Sequence, residues 1–332
     1  MSRLPSLLPV NRSGASAYML GTYLLKLAHV VLLTWILFIA SIPHAAPDPV
    51  YAQAPGNESP AGGVDNDQRF ALIGDVRKSG RKPPAVFSRI VERIAQEDVG
   101  YVLSVGDLIN ADEGTSVDER WDALQDTLDD AMDGLESDDF FPCLGNHDVN
   151  DSRSSIESFQ RQFDLPMNGP EGMKELVYSL DEGDVHLVCI ATALPGSSGV
   201  LNEAQMAWLA RDLSKTQAPY ILVMGHAPAY PVGPHLGGSL DIYPAGRDRF
   251  WQLLHEHRVT AYLAGHEHLY NRREIGDITQ MILGSSGSEV DGDYPGAFVG
   301  YAIFSVETDG LSVVVNDAEG TTRDRFTLAP RS

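Results

Sequence analysis

Short apolar runs alternate with amphipathic stripes from Arg69 onward. Runs of four to six mainly apolar residues are typical of buried strands, and apolar positions three and four residues apart are typical of helices. The predicted strands span 70–73, 101–105, 141–144, 177–180, 185–190, 220–224 and 260–264. The predicted helices follow Pro83-Pro84, cover 121–132, begin at a capping box of Asn202 and Gln205, and cover 247–257. This alternation predicts an α/β fold.

The pattern in the C-terminal part of the chain, residues 279–328, predicts several further strands. Turn signals stand at Asp309-Gly310 and Glu319-Gly320. There is no internal repeat and no second shift in composition. Residues 69–332 are therefore expected to form one domain, and the stretches 111–120, 150–175, 193–200 and 231–246 are expected to be loops that wall a pocket.

Residues 1–42 predict an export segment. Arg3, Arg12 and Lys26 precede an apolar run over residues 27–42, and no acidic residue occurs before Asp48. This charge asymmetry is typical of a cytoplasmic N-terminus followed by an exported chain. The run fits a signal peptide cleaved after Ala46 or Ala54, which we favour, or an uncleaved membrane anchor. Residues 43–68, rich in Pro and Gly, predict a linker, so the remainder is expected to be periplasmic or extracellular.

The charge balance limits the partners. The chain carries 24 Lys and Arg against 46 Asp and Glu, a formal net charge of −22. An acidic surface repels nucleic acids and anionic lipids, so we expect no nucleic-acid-binding surface and membrane contact only through an uncleaved N-terminal segment. It also repels phosphate esters at long range, so phosphate chemistry here needs a local cation.

The two cysteines, Cys143 and Cys189, both lie in apolar, strand-like runs. In an oxidising compartment they either pair or remain as two buried thiols, and the sequence leaves both possibilities open.

Five polar clusters follow strand-like runs, each opened by a glycine. They are Gly74-Asp75, Gly106-Asp107, Gly145-Asn146-His147-Asp148, Gly225-His226 and Gly265-His266-Glu267-His268. Where helices cross between strands, the carboxyl ends of the strands share one edge at which ligands bind. Asp, Asn and His suit Mn, Fe, Zn or Mg. Each cluster alone is more often a turn, but their joint occurrence predicts a metal centre.

The ordered series of clusters resembles the signature of the calcineurin-like metallophosphoesterases. Pro228 and Tyr230 after His226, and Tyr270 and Arg272 after His268, are similar to the purple acid phosphatase branch. The resemblance covers essentially residues 69–332. It implies a two-sheet β-sandwich flanked by helices on both outer faces, a four-layer αββα arrangement.

The resemblance also implies a ligand set for two divalent metal ions. Asp75 and His268 would hold the first metal, Asn146, His226 and His266 the second, and Asp107 would bridge the two. A metal-bound hydroxide would then attack the phosphorus. His147 would donate a proton to the leaving group, and Asp148 would orient its imidazole.

Two positions depart from the family pattern. Arg77 stands where a metal-binding His is usual, and a guanidinium cannot ligate a metal. We expect Arg77 to grip the substrate phosphate. Asn110 stands where the purple acid phosphatases have a Tyr ligand, so it is at best a neutral oxygen ligand. Without that Tyr, a ferric ion would lack its hard anionic ligand. A pair of Mn, Fe(II), Mg or Zn ions is therefore expected.

The resulting hypothesis is metal-dependent hydrolysis of phosphate mono- or diesters, in small molecules or exposed groups. The alternative is a degenerate relative that binds metal or phosphate without turnover, because Arg77 removes one ligand. The substrate, the preference for mono- or diesters and the oligomeric state carry no sequence signal.

Overall fold

The computed structural model describes residues 68–112, 116–132, 139–150 and 153–331. The predicted export segment and linker lie outside these residues, apart from the last linker position. Within the described ranges, no helix has both the length and the apolar character needed to cross a membrane.

The first sheet has six strands in the order β12-β11-β10-β1-β2-β3. Its strands are β1 (Arg69–Ile73), β2 (Tyr101–Ser104), β3 (Phe140–Pro142), β10 (Gly300–Glu307), β11 (Gly310–Asp317) and β12 (Thr322–Leu328). Strands β1, β2 and β3 are parallel, so their carboxyl ends meet at one edge. The C-terminal strands extend the sheet in antiparallel fashion from β1.

The second sheet also has six strands, in the order β4-β5-β6-β7-β9-β8. Its strands are β4 (Tyr178–Glu182), β5 (Val185–Cys189), β6 (Tyr220–Met224), β7 (Ala261–Ala264), β8 (Tyr270–Ile275) and β9 (Ile278–Leu283). The four central strands β5, β6, β7 and β9 are parallel, and β4 and β8 pair as antiparallel edges.

In the part of the chain that the structure describes, five α-helices flank the sheets. They are α1 (Ala85–Ile94), α2 (Val117–Ala131), α3 (Arg153–Gln162), α4 (Glu203–Leu213) and α5 (Pro244–Glu256). The first three join the core shared by the two sheets, and α4 and α5 pack on the second sheet. The amphipathic stripe after Pro84 behaves as predicted, because Phe87, Ile90, Val91 and Ile94 are all buried.

Strand β6 shows why its sequence is apolar at every position. Leu222 and Met224 belong to the core cluster between the sheets, whereas Ile221 and Val223 belong to the cluster under α4 and α5. Both faces of the strand are therefore covered, as expected for a parallel strand. Each fully buried side chain of this size contributes about 1.5–3 kcal/mol. The predicted two-sheet sandwich with flanking helices is confirmed.

Two local predictions were wrong. Residues 150–175 were expected to form a loop, but α3 lies within them, because Ser155, Ser158 and Phe159 give a helical face that is buried. The predicted capping box is only half formed. Asn202 caps α4 by accepting from the backbone N–H of Gln205, but the Gln205 side chain instead bonds both backbone groups of Ala191.

Cys143 and Cys189 form a disulfide with Cα atoms 5.7 Å apart. Cys143 follows β3 in the first sheet, and Cys189 ends β5 in the second. The bond therefore joins the two sheets through the core, directly before the cluster Gly145-Asn146-His147-Asp148. Of the two possibilities left open by the sequence, the structure contains the paired one.

A buried histidine links strand β5 to helix α4. His186 is 5% exposed, and its two ring nitrogens lie 2.7 Å from Asp181 and 3.0 Å from Asp212. Burial lowers the pKa of His186, but the hydrogen bonds to Asp212 and Asp181 outweigh it and raise the pKa above 6.5. The imidazolium is thus favoured in the folded chain.

We predict that this histidine makes stability pH-dependent. Because its pKa is raised on folding, its contribution is fully present below the unfolded value of about 6.5 and is lost as the pH rises through the folded value. His186→Gln should lower the free energy of unfolding by about 1–3 kcal/mol at pH 6. The difference from the wild type should shrink toward pH 9 in denaturant titrations.

The exposed pair of His255 and Asp277 provides the control, with side chains 63% and 56% exposed. His255→Gln should change the free energy of unfolding by less than about 1 kcal/mol. A His186→Gln effect of the same size at pH 6 and pH 9 would contradict the charged assignment.

Candidate metal centre

The five polar clusters follow β1, β2, β3, β6 and β7, at the carboxyl ends of parallel strands. Three of the predicted ligands have positive φ angles, Asp75 at 50°, Asp107 at 57° and His266 at 71°. Residues other than glycine rarely adopt this conformation, and such strain clusters at functional sites. The turns therefore hold these side chains in place at an energetic cost.

Glycine is required at two of these turns by close approach. A Cβ atom on Gly145 would stand 2.2 Å from the Asp107 carboxylate, and one on Gly265 would stand 2.3 Å from the Asp75 carboxylate. Neither distance is possible between nonbonded atoms. The glycines before Asn146 and His266 are thus explained by a carboxylate that follows another strand.

The second predicted metal position is a tight group of ligand atoms. His226 Nε2 lies 2.9 Å from Asn146 Oδ1, 3.2 Å from His266 Nδ1 and 3.4 Å from Asp107 Oδ1. Two neighbouring ligands at about 2.1 Å from one metal lie about 3 Å apart. The structure therefore brings these four predicted ligands together at the spacing of a shared cation.

The tautomer of His226 supports the same interpretation. Its Nδ1 lies 2.9 Å from the carbonyl oxygen of Val105, which can only accept, so Nδ1 carries a proton. In the neutral ring Nε2 is then an acceptor that faces the oxygens of Asn146 and Asp107. Burial lowers the pKa of His226, but the Asp107 carboxylate outweighs burial and raises it to about 9. A bound cation would take the place of this proton.

The first predicted metal position contains Asp75, Asp107 and His268. His268 Nε2 lies 3.5 Å from Asp75 Oδ1, and its Nδ1 lies 2.8 Å from the carbonyl of Glu289, which directs Nε2 into the site. Asp75 Oδ2 accepts from the backbone N–H of His266, but the buried Oδ1 has no hydrogen-bond partner among the described residues. Burial raises the pKa of Asp75. These residues fit a cation, because one would satisfy the buried oxygen.

Arg77 points into this first position. Its Nε donates to Asp107 Oδ2 at 2.9 Å, and its Nη2 lies 3.3 Å from His268 Nε2. The guanidinium thus touches two predicted ligands of one metal. Although burial raises the pKa of Asp107, the charges of His226, His147 and Arg77 hold it well below its usual range. The two predicted metal positions therefore differ, since the positive guanidinium of Arg77 contacts the ligands of the first one.

The expected role of Asp148 was wrong. Its carboxylate does not orient His147, because both oxygens accept backbone N–H groups, those of Asp107, Leu108, Ile109 and Gly145, at 2.7–3.0 Å. Asp148 is completely buried. It fixes the turn that carries Asp107 to the turn that carries Asn146, so it is a positioning residue.

His147 lies next to the metal ligands. Its backbone N–H donates to Asp107 Oδ1 at 2.8 Å, whereas its buried ring Nδ1 has no hydrogen-bond partner in the described part of the chain. Burial lowers the pKa of His147. Nothing in the structure tests its role as a proton donor, which stays a prediction.

Asn110 lies in the turn after Asp107 and lines a small cleft together with Arg77. Its Oδ1 lies 3.4 Å from the backbone N–H of Asp112, a long hydrogen bond. Its role as a metal ligand stays a prediction.

Two residues of the site carried no assignment in the sequence. The ring of His235 packs against His266 with centroids 4.1 Å apart. Glu267 is fully buried, and its Oε2 accepts weakly from the backbone of His235 at 3.5 Å. Gly233 is close to Glu267, since a Cβ atom there would stand 2.1 Å from Oε2. Glu267 thus positions the loop that carries His235. The sequence did offer a signal for Glu267, which is its position between the predicted ligands His266 and His268.

The structure is a two-sheet sandwich whose strand ends bring carboxylate, amide and imidazole groups together. This combination is typical of a class of metal-binding proteins. The model of the calcineurin-like phosphoesterase family matches residues 68–270, and the chain belongs to this family.

Similar proteins include purple acid phosphatases. Purple acid phosphatase 23 of Arabidopsis thaliana is 24% identical over 230 residues, which cover 61% of this chain and 47% of the relative. Tartrate-resistant acid phosphatase type 5 of Oryctolagus cuniculus is 24% identical over 258 residues, 70% of this chain and 76% of the relative. The chain thus spans about half the length of the plant relative.

A solved structure of purple acid phosphatase PPD1 from yellow lupin (Lupinus luteus) seeds shares the fold. It superposes with a TM-score of 0.66 at 17% identity, covering 79% of this chain and 53% of the lupin chain. At this identity the likeness concerns the fold alone.

The corrected role of Asp148 yields a prediction. Asp148→Ala leaves four buried N–H groups without an acceptor, so it should lower the free energy of unfolding by about 3–5 kcal/mol and weaken metal binding. Denaturant titration and elemental analysis measure the two effects. The control is His147→Ala, which should leave both close to the wild type.

If Asp148 instead oriented His147, Asp148→Ala would keep its stability and metal content. It would then lose activity in the same way as His147→Ala.

Proposed function

We propose that this protein is an exported phosphoric ester hydrolase that uses two divalent cations. The observation that carries the proposal is the convergence of ligand atoms on both sides of the buried Asp107 carboxylate. His226 contacts it on the side of Asn146 and His266, and Arg77 contacts it on the side of His268.

Each group has a defined part. Asn146, His226 and His266 would hold one cation, Asp75 and His268 the other, and Asp107 would contact both. When bound, such cations activate a water as the nucleophile and neutralise charge on the phosphoryl oxygens. Mn, Fe(II), Zn and Mg all accept these oxygen and nitrogen ligands.

Two further side chains would act on the ester itself. Arg77 would share its N–H groups between Asp107 and a nonbridging phosphoryl oxygen, since its side chain is still 23% exposed. His147 would donate a proton to the leaving oxygen. In the reaction the water oxygen forms a bond to phosphorus, the bond from phosphorus to the leaving oxygen breaks, and that oxygen takes up the proton from His147. The proton that the water loses passes to solvent, from which His147 is reprotonated.

One observation favours the degenerate alternative. Arg77 occupies hydrogen-bonding positions on Asp107 and His268 that a first metal would need. Against this alternative, the buried Asp75 Oδ1 has no hydrogen-bond partner within the described ranges, and a cation in the same position would satisfy it. We therefore favour two cation sites of unequal affinity over a site that has lost its function.

The direct test is hydrolysis of an aryl phosphate and of a bis-aryl phosphate, with added Mn and after treatment with a chelator. We expect metal-dependent release of the aryl alcohol from at least one of them. Asp107→Ala is the matched negative control, because it removes the group shared by both cations. Absence of turnover in the wild type with every metal would support the non-catalytic alternative.

His147 as the proton donor yields a prediction. His147→Ala should lower kcat about 10²–10⁴-fold for an alkyl phosphate, whose leaving oxygen needs a proton. The loss should be much smaller for an aryl phosphate with a stable leaving group, while elemental analysis shows unchanged metal. Equal losses for the two substrates would contradict the proton-donor role.

The unequal cation sites yield another prediction. Arg77→His replaces a fixed charge by a ligand, so the weaker of the two metal equivalents should bind more tightly in a calorimetric titration. Arg77→Ala should lower kcat/KM about 10–100-fold, as expected for the loss of one charged hydrogen bond. An Arg77→His protein that titrates like the wild type would show that Arg77 does not compete with a metal.

Export remains part of the proposal. A disulfide in the core, Cys143–Cys189, fits an oxidising compartment. N-terminal sequencing of the native protein would distinguish a cut after Ala46 or Ala54 from a retained anchor at residues 27–42.

A further inference from the structure

The loop after the first ligand is strongly basic in an otherwise acidic protein. Arg77, Lys78, Arg81 and Lys82 fall within six consecutive positions, although the chain has only 24 basic residues among 332. Lys78, Arg81 and Lys82 are exposed. No ion pair to these three side chains occurs within the described residues. Their charges are therefore not cancelled by a local acidic partner there.

This basic loop, residues 77–82, lines a narrow cleft beside the candidate metal centre, whose free space of about 10 Å³ has room for one water molecule. Five of the ten lining residues are basic, and the described lining contains no acidic side chain; the set is Arg77, Lys78, Gly80, Arg81, Lys82, Pro83, Leu108, Ile109, Asn110 and Arg120. About one residue in fourteen of the whole chain is basic. Such a concentration within a chain of net charge −22 makes the surface around the mouth of the cleft a local site for an anion.

The loop is also held in place. The backbone N–H of Arg77 donates to the Asp107 carbonyl at 3.0 Å, and Ser288 Oγ donates to the Arg77 carbonyl at 3.0 Å. Arg120 of α2 is 2% exposed and donates to the carbonyl of Gly80 from behind the loop. A loop fixed at both positions loses less conformational freedom when it binds a ligand.

The opening on the other side of Arg77 has a different character. It is a cavity of about 860 Å³, lined by Arg77, Lys78 and His268 but also by Glu289 and Asp291. Asp291 accepts from the backbone N–H of His268 at 3.0 Å, and the Glu289 carbonyl contacts the His268 ring. The mixed charge there does not select an anion, so the exposed surface of the basic loop is the better anion site.

We propose that the exposed side chains of the basic loop, residues 77–82, bind a second phosphoryl group over the mouth of the cleft, so that the substrates are small molecules bearing two phosphoryl groups. This inference rests on the proposed function. One group would lie at the metal centre, and the other would contact Lys78, Arg81 and Lys82. Arg and Lys side chains together suit a phosphoryl dianion, with bidentate hydrogen bonds from the guanidinium.

The test compares pairs of substrates that differ by one phosphoryl group. One pair is fructose 1,6-bisphosphate and fructose 6-phosphate, and the other is adenosine 5′-diphosphate and adenosine 5′-monophosphate. In at least one pair the doubly phosphorylated compound should have the higher kcat/KM by about 10–100-fold, measured as phosphate release. This preference should weaken as ionic strength rises.

The decisive variant combines Lys78→Gln, Arg81→Gln and Lys82→Gln. It should abolish the preference while changing hydrolysis of an aryl phosphate less than about threefold. The matched control combines Lys174→Gln, Arg211→Gln and Lys215→Gln, which are also exposed and line neither opening. Each variant removes two Lys charges and one Arg charge, so the two variants differ only in where those charges lie on the protein.

Calorimetry on the chelator-treated full-length protein separates this inference from the proposed function. The wild type and the control should bind the doubly phosphorylated member of a pair at least tenfold more tightly, and the basic-loop variant should not. Equal binding within both pairs, or a preference that survives in the basic-loop variant, would overturn the inference even if an aryl phosphate is hydrolysed. Binding preference without any turnover would instead count against the proposed hydrolase alone.

Discussion

The Asp148 carboxylate holds together the part of the chain on which the metal centre depends. It is buried, and it accepts four backbone N–H groups from two different turns. Asp107 in one of these turns has a positive φ, which is costly for a residue with a side chain. Without an acceptor at the centre, the four N–H groups of the turns after β2 and β3 would be buried without a partner. A residue that does not face the site therefore determines its geometry.

The metal centre itself joins the two sheets. His226, which follows β6, donates to the carbonyl of Val105, which directly follows β2 of the first sheet, and the backbone of His266 donates to Asp75. The disulfide between Cys143 and Cys189 links the same two sheets just before the turn that carries Asn146. Bound cations would therefore stabilise the fold as well as act in chemistry, since they bind the folded chain alone.

The convergence of the candidate ligand residues could be predicted from the sequence, because a strand, a glycine and a polar residue recur together. Apolar runs identify strands, and the carboxyl ends of parallel strands lie at one edge. The role of Asp148 was not predictable, since its partners are backbone groups whose positions depend on the tertiary fold. His235 was missed for the same reason. Its loop packs against the Glu267 carboxylate at Gly233, where a side chain would not fit.

The helix α3 escaped prediction for a different reason. Its sequence is mostly polar, and its buried face consists of Ser155, Ser158 and Phe159. A helix whose core contact rests on one aromatic side chain gives a weak hydrophobic pattern. Phe159 packs edge-on against Trp121 of α2, with ring centroids 5.8 Å apart, so tertiary packing supplies what the local pattern lacks.

The acidic surface and the basic loop together place a constraint on substrates. A net charge of −22 repels phosphate esters, but at physiological ionic strength this repulsion is screened beyond roughly 8 Å. Attraction by the loop is equally short in range, so it acts only on a molecule already at the cleft. The loop therefore contributes to selection among bound phosphate esters more than to their capture from solution. Because Arg77 belongs both to this loop and to the metal centre, recognition of the second group and positioning of the reacting one are physically connected.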